Sequence, residues 1–460
     1  MSATSASSAT SGSLKLDPVR ALQHALYRAA KADPGRRFHA LGDKVHRRDV
    51  LRRAWAMVRR NNGAPGIDAT TLTQVEEYGI DRLLDELATE LKGDRWRPLP
   101  ARRVFIPKPG TTVEQRPLSI PSVRDRIVQA ALKIVLEPVF EADMLPCSFG
   151  FRPRRGAHDA LQVLIDEAWR GRRWVVETDI ANCFEAIDHE KLMQAVEERI
   201  CDRSVLKLLR AMLRAGVMED GQVRRPVTGT PQGGVVSPLM ANVYLHRLDR
   251  AWDVRRHGVL VRYADDAVVM CTTREPAEAA LGQLKVLLAE LGLEPKAAKT
   301  RIVHLQVGGG GVDFLGFHHR WVTSRPRGGR HPIAFLARWP SDRAVQHARD
   351  RIRELTERRR MLRPVKVIVE DVNAFLRGWA AYFRFGNSAH RFDQISSYAR
   401  MRIGGFIAKK HRRGRKFGWS VVAYAASDSL GLVALHGTVV APRPFRDWRG
   451  RPNAGGERRR

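Results

Sequence analysis

Two short apolar runs enclose a pair of acids: Val259-Leu260-Val261-Arg262-Tyr263-Ala264, then Asp265-Asp266, then Ala267-Val268-Val269-Met270. β-branched runs on both sides of a polar pair read as a buried β-hairpin with the acids at its tip. An earlier run, Trp174-Val175-Val176-Glu177-Thr178-Asp179, reads as a second buried strand that also ends in an acid. Helical patterns over 191–215 and 238–252 lie between them. Strand, helices and hairpin in that order predict an α+β core.

The rest of the chain divides around that core. Apolar residues at helical spacing predict helices over 43–60, 83–91 and 123–140. A Gly/Pro turn at 61–68 follows the first, and a short strand at 103–106 precedes a Pro/Gly loop at 107–110. An Arg/Gly/Pro loop at 323–330 comes before a helical stretch over 341–410, read as a second, all-helical domain. No internal repeat is present.

Of 460 residues, 80 are Lys or Arg and 49 are Asp or Glu, a net charge of +31. Such a surface attracts polyanions and predicts salt-dependent nucleic-acid binding; charge alone fits an RNA-coating protein as well. No run of about 18 apolar residues exists, so no membrane span is expected. Residues 1–13, almost all Ser, Ala, Thr and Gly, lack the pattern of a secretory signal and are read as a disordered tail. The four cysteines, Cys147, Cys183, Cys201 and Cys271, have no metal-ligand spacing. Neither a zinc site nor a disulfide framework is expected, which suggests a reducing compartment.

Adding a nucleotide to a primer requires a 3′-hydroxyl to lose its proton and attack phosphorus in line. Two Mg²⁺ ions about 3.5–4 Å apart serve both the attacking and the leaving oxygen. They need hard oxygen ligands, and the substrate phosphates supply some of them. Two or three carboxylates on rigid strands suffice, and Asp179, Asp265 and Asp266 suit that need. An Asp-Asp pair alone is commonly a solvated turn; its companions change the reading.

Tyr263-Ala264-Asp265-Asp266 resembles the signature hairpin of reverse transcriptases. Asp179-Ile180-Ala181-Asn182-Cys183-Phe184 with Ile187-Asp188-His189 resembles the first catalytic segment of that family. Gly229-Thr230-Pro231-Gln232-Gly233-Gly234-Val235-Val236-Ser237-Pro238-Leu239 is similar to the group II intron form of its template and nucleotide-binding turn. All three stand in the family's order. Further blocks agree: Ile106-Pro107-Lys108-Pro109-Gly110 with Gln115-Arg116-Pro117-Leu118, Ser148-Phe149-Gly150-Phe151-Arg152-Pro153, Leu291-Gly292-Leu293 with Lys299-Thr300, and Phe314-Leu315-Gly316-Phe317. Asn61 to Asp68 resembles the extra N-terminal block of intron-encoded and non-long-terminal-repeat enzymes. Leu376-Arg377-Gly378-Trp379-Ala380-Ala381-Tyr382-Phe383 resembles the maturase, or thumb, domain of group II intron proteins. The resemblance spans about 45–410.

It implies an α+β right-hand polymerase, with fingers, a ferredoxin-like palm carrying the catalytic hairpin, and an all-helical thumb/maturase domain. The corresponding boundaries are a flexible extension over 1–42, fingers over 43–178, palm over 179–322 with interleaved fingers segments, helical domain over 341–416, and a basic tail over 417–460 without an endonuclease domain. Asp179, Asp265 and Asp266, with the backbone carbonyl of Ile180, would hold two Mg²⁺ ions. Lys108 and Arg116 would grip the triphosphate, and Gln232 would touch the nucleotide or template. Phe184 would exclude a 2′-hydroxyl, so that the product is DNA. Gly233, Gly316, Arg377, Arg412 and Arg413 would meet RNA or the primer–template; core packing fits the 314–317 block nearly as well. One block departs from the family: its usual Asn-Pro-Glu-Lys-Thr is here Lys296-Ala297-Ala298-Lys299-Thr300.

The implied partners are group II intron RNA or another RNA template, a DNA primer or target, and deoxynucleoside triphosphates, with no membrane. The implied location is the bacterial cytoplasm, with RNA or the nucleoid. Two other readings stay open: a free-standing reverse transcriptase serving defence or repair, and a non-catalytic RNA-binding splicing factor.

Overall fold

A computed structural model describes residues 17–107, 115–219, 222–224, 228–230, 233–325, 331–423 and 430–444. The chain forms two interleaved units: Met1–Val104, Leu118–Met144 and Ile187–His246 make the first, and Phe105–Pro117, Leu145–Ala186 and Arg247–Arg460 the second. Among the described residues eleven strands occur: β1 (Ala101–Pro107), β2 (Gln115–Ile120), β3 (Trp174–Asp179), β4 (Val217–Glu219), β5 (Gln222–Arg224), β6 (Val259–Tyr263), β7 (Asp266–Cys271), β8 (Arg301–His304), β9 (Val312–Phe314), β10 (Phe317–Ser324) and β11 (Ile333–Pro340). They form sheets of order β2-β1-β4-β5, β6-β7-β3-β8 and β11-β10-β9. The architecture is mixed α+β with a helical C-terminal region, as expected.

The first unit is built on the helix Val123–Glu141. Fifteen of its residues are buried, among them Ile127, Leu132 and Val139. A helix apolar on nearly every side needs cover from several neighbours, and Pro18–Ala32 and Arg48–Asn61 both pack on it. The first of these corrects the expectation of a flexible extension over 1–42. Asp17 caps it, accepting from the Val19 and Arg20 amides, Pro18 opens it, and Val19, Leu22, Leu26 and Ala30 are buried. The helix expected over 191–215 is two, His189–Glu197 and Arg203–Arg214. Asp202 breaks the run because its carboxylate caps the second, accepting from the Val205 amide.

In the second unit, β6-β7-β3-β8 is antiparallel throughout. The helices Ala157–Trp169 and Arg274–Glu290 pack on it. Val175, Val261, Val268 and Met270 join one core with Phe314, Phe317, Leu376, Trp379 and Phe392. The hairpin β10–β11 is paired over eight residues on each strand, where the sequence predicts only a loop over 323–330; its residues 326–330 lie outside the described ones. The C-terminal helices are Asp342–Leu355, Val365–Phe383, Ala389–Lys410 and Arg415–Ala423. The last one, and Leu435, which is buried, correct the boundary at 416. Val421 and Val422 pack on the core, which draws this segment into the folded unit.

Candidate active site

The site is assembled by strand register within the second unit. β3 and β7 pair antiparallel with Asp179 opposite Asp266, and β6 and β7 pair with Tyr263 opposite Asp266. The turn is therefore Ala264-Asp265, and Asp266 is the first residue of β7 rather than part of the tip. Ala264 takes a left-handed conformation at φ +58, uncommon for a residue with a Cβ. The Asp265 carbonyl accepts from the Ile180 amide at 3.1 Å, which ties the tip to the residue after Asp179. The Asp179 carbonyl accepts from the Lys296 amide at 2.7 Å, fixing β3 from its other side.

Three carboxylates gathered in a largely buried place repel one another. Burial, then the charge of Asp179, pushes the Asp266 carboxyl up to about 7. The same causes raise Asp265, opposed by the charges of Lys299 and Arg116. Lys299 donates its ammonium to Asp179 Oδ2 at 2.5 Å. Beside it, the hydroxyls of Thr178 and Thr300 lie 2.8 Å apart. The Lys-Thr pair of the departing block is thus placed at the end of β3. The donors of the site are hard oxygens, the set that suits Mg²⁺. Among the described residues, no three His, Cys, Asp or Glu side chains already stand as a metal cage.

The other expected residues distribute unevenly. Ile180 is buried directly after β3. Phe184 lies in the one-turn helix Cys183–Ala186, half-buried, and Cys183 beside it is buried, its thiol raised to about 12 by desolvation and the charge of Asp265. Arg116 is exposed on β2. Lys108 and Gln232 lie outside the described residues. Gly233 has φ +110, and a Cβ there would stand 2.4 Å from the Ser119 carbonyl oxygen, so only glycine fits. Gly316, at φ +79, turns the chain between β9 and β10 against the Phe383 ring. Tyr382 donates its hydroxyl to the Leu315 carbonyl oxygen at 2.8 Å. Trp379 and Phe383 are buried in the core. Arg377, Arg412 and Arg413 are exposed on or after the C-terminal helices.

Two side chains in contact with the site have no role assigned from the sequence. Lys299 could have been found, since it belongs to a recognised block. Arg262, fully buried beside the tip, reads in sequence as one charge interrupting an apolar strand.

Comparison with known proteins identifies two families along the chain. Residues 106–319 match the model of the reverse transcriptase (RNA-dependent DNA polymerase) family. Residues 345–424 match that of the group II intron maturase-specific domain. Protein YkfC of Escherichia coli is 33% identical over 352 residues, 68% of this chain and 90% of that protein. The group II intron-encoded protein LtrA of Lactococcus lactis is 38% identical over 206 residues, 44% of this chain and 33% of LtrA. A 91 kDa protein in the cob intron of Schizosaccharomyces pombe is 28% identical over 421 residues, 76% of this chain and 51% of that protein. The chain thus spans nine-tenths of the first, a third of the second and about half of the third.

Proposed function

The chain belongs to the group II intron reverse transcriptase and maturase family, and on that premise we propose that it copies RNA into DNA by two-metal-ion nucleotidyl transfer while its helical part holds intron RNA. One observation carries the chemistry: the β3–β7 register sets Asp179 against Asp266, with Asp265 tied to Ile180. A pair of Mg²⁺ ions, when bound, lowers the pKa of the primer hydroxyl and neutralises the leaving pyrophosphate.

The protein's own residues do the rest. Asp179, Asp265 and Asp266 offer the oxygens, joined by the Ile180 carbonyl. Arg116, and Lys108 in the family's pattern, bind triphosphate oxygens, where a guanidinium fork and a point charge both suit phosphate. Phe184 closes the space a 2′-hydroxyl would need. Gln232 and Gly233 meet the nucleotide and template. Gly316 turns the chain at the primer end. Arg377, Arg412 and Arg413 hold RNA through its phosphates, the usual mode for A-form duplexes.

Primer extension on poly(rA)/oligo(dT) with Mg²⁺ tests this. Asp265→Ala should end synthesis and leave RNA affinity within about threefold. Loss of both together would make Asp265 structural, and no synthesis by the unaltered chain would favour a non-catalytic splicing factor.

A further inference from the structure

Asp179 and Asp266 are held by strands; the turn that carries Asp265 is tied by the Ile180 amide on one side and reached by the Arg262 side chain on the other. Arg262 lies on β6, and its side chain is 1% exposed. Its Nε donates to Asp249 Oδ1 at 2.8 Å and its Nη2 to Asp249 Oδ2 at 2.5 Å. Nη2 also donates to the Ser148 hydroxyl at 2.9 Å. Nη1 donates to the Ala264 carbonyl at 2.9 Å. Along the backbone, the Arg262 amide donates to the Cys147 carbonyl at 2.8 Å, and its carbonyl accepts from the Phe149 amide at 2.9 Å. Gly150 completes the seat: a Cβ there would stand 2.5 Å from the Ala264 nitrogen.

Three separate parts of the chain therefore meet at one guanidinium: the helix Ser237–Ala251 through Asp249, the 147–150 segment, and the turn itself. Ala264 is the strained residue of that turn, and its carbonyl lies in the peptide group that joins it to Asp265. A left-handed alanine persists only where its surroundings hold it. A buried ion pair is weak evidence for stability, since apolar replacements often serve equally well. The geometric reach of the planar fork is a different property, which lysine lacks.

We infer that Arg262, braced by Asp249 and Ser148, is a positioning residue that fixes the Ala264 peptide and thereby sets the direction of the Asp265 carboxylate for metal binding. The inference rests on the metal-binding reading of the acids. The competing view is that Arg262 only fills the core.

Two variants of the full-length chain test it. In Arg262→Lys the charge opposite Asp249 stays and the link to the Ala264 carbonyl is lost. In Arg262→Met/Asp249→Leu the ion pair is replaced by apolar side chains. The first readout, taken without metal, is amide hydrogen exchange over 259–271. It should quicken at least tenfold at the turn in both variants and stay unchanged in the helix Ala389–Lys410. The second is Mn²⁺ binding followed by electron paramagnetic resonance, which should weaken about tenfold in both while RNA affinity stays within about threefold.

Turn exchange unchanged in a folded variant overturns the inference whatever the metals do. So does quickened exchange with Mn²⁺ affinity kept. If neither variant folds, Arg262 is scaffold and the inference is wrong. An unaltered chain that binds no more Mn²⁺ than its Asp265→Ala variant would refute the metal-binding reading, whereas the exchange result would still judge the clamp.

Discussion

Asp266, proposed as a metal ligand, opposes the fold that carries it. Its carboxyl is largely buried and faces the charge of Asp179, which is why it titrates near neutral pH. Asp266→Asn removes that repulsion at almost constant volume. The expected outcome is no DNA synthesis together with a metal-free melting temperature higher by about 2 °C, since each 1 kcal/mol moves a midpoint by about 2–4 °C in larger domains. Calorimetry and primer extension check the two halves. Phe184 belongs to the same neighbourhood. Phe184→Val should admit ribonucleotides about tenfold or more better relative to deoxynucleotides, read as a ratio of kcat/KM; unchanged discrimination would remove the gate.

A different titration acts on the first unit. Asp125 is buried, caps no helix itself, and accepts from the Leu99 amide at 3.2 Å. Burial raises its carboxyl to about 6. A carboxyl raised by folding contributes stability below its unfolded pKa, near 3.8, and loses that contribution as pH rises through 6. Asp125→Asn keeps an acceptor for Leu99 and cannot ionise. The variant should therefore gain on the unaltered protein as pH rises from 5 to 8, in thermal melts followed by circular dichroism. A constant difference across that range would place the charge elsewhere.

Among the elements, the acidic hairpin is readable in the sequence because both flanking runs are β-branched and a turn alone can join them. Its end is not. Nothing local says that the turn is Ala264-Asp265, because the β3–β7 register decides it. The helix Pro18–Ala32 had ample signals: Asp17 as cap, Pro18 as first residue, and Val19, Leu22 and Leu26 on one face. It was overshadowed by the Ser/Ala/Thr stretch before it. Leu26 packs in the core of the first unit, so Leu26→Ala should cost about 2–5 kcal/mol in denaturant unfolding; a loss under 1 kcal/mol would mean that the helix is only loosely docked. The β10–β11 hairpin was missed for another reason. Its strands carry His318, His319, Arg320 and Arg338 among their apolar residues, and two of these, His319 and Arg338, are buried, so polar alternation did not mark an outer face.

For the entire molecule, charge and catalysis are separable. A net +31 predicts binding that weakens steeply with salt, whereas the proposed chemistry rests on the acids. Replacing Arg377, Arg412 and Arg413 with glutamine should lower RNA affinity and flatten its dependence on log salt by about 0.7–0.9 per lost phosphate contact. Filter binding from 50 to 300 mM KCl measures this, and a slope unchanged in the triple variant would move the RNA contact elsewhere. The recognised blocks singled out the acids that the strand register sets side by side, while Lys108 and Gln232 lie outside the described residues. The division into units was not, because it follows contacts between distant segments: the chain crosses between the units at 104, 117, 144, 186 and 246, and no compositional shift marks those points.

That order of segments also bears on how the protein is made. β3 leaves the ribosome long before β7 and β8, the neighbours that cover its two edges. At about 5–20 residues per second, Val175 and Val176 wait on the order of ten seconds for β7 and longer for β8. Throughout that time the nascent strand offers unpaired amides and carbonyls to any other extended chain. Chaperone supply during translation should therefore govern the yield of active protein more strongly than the temperature at which the finished molecule melts.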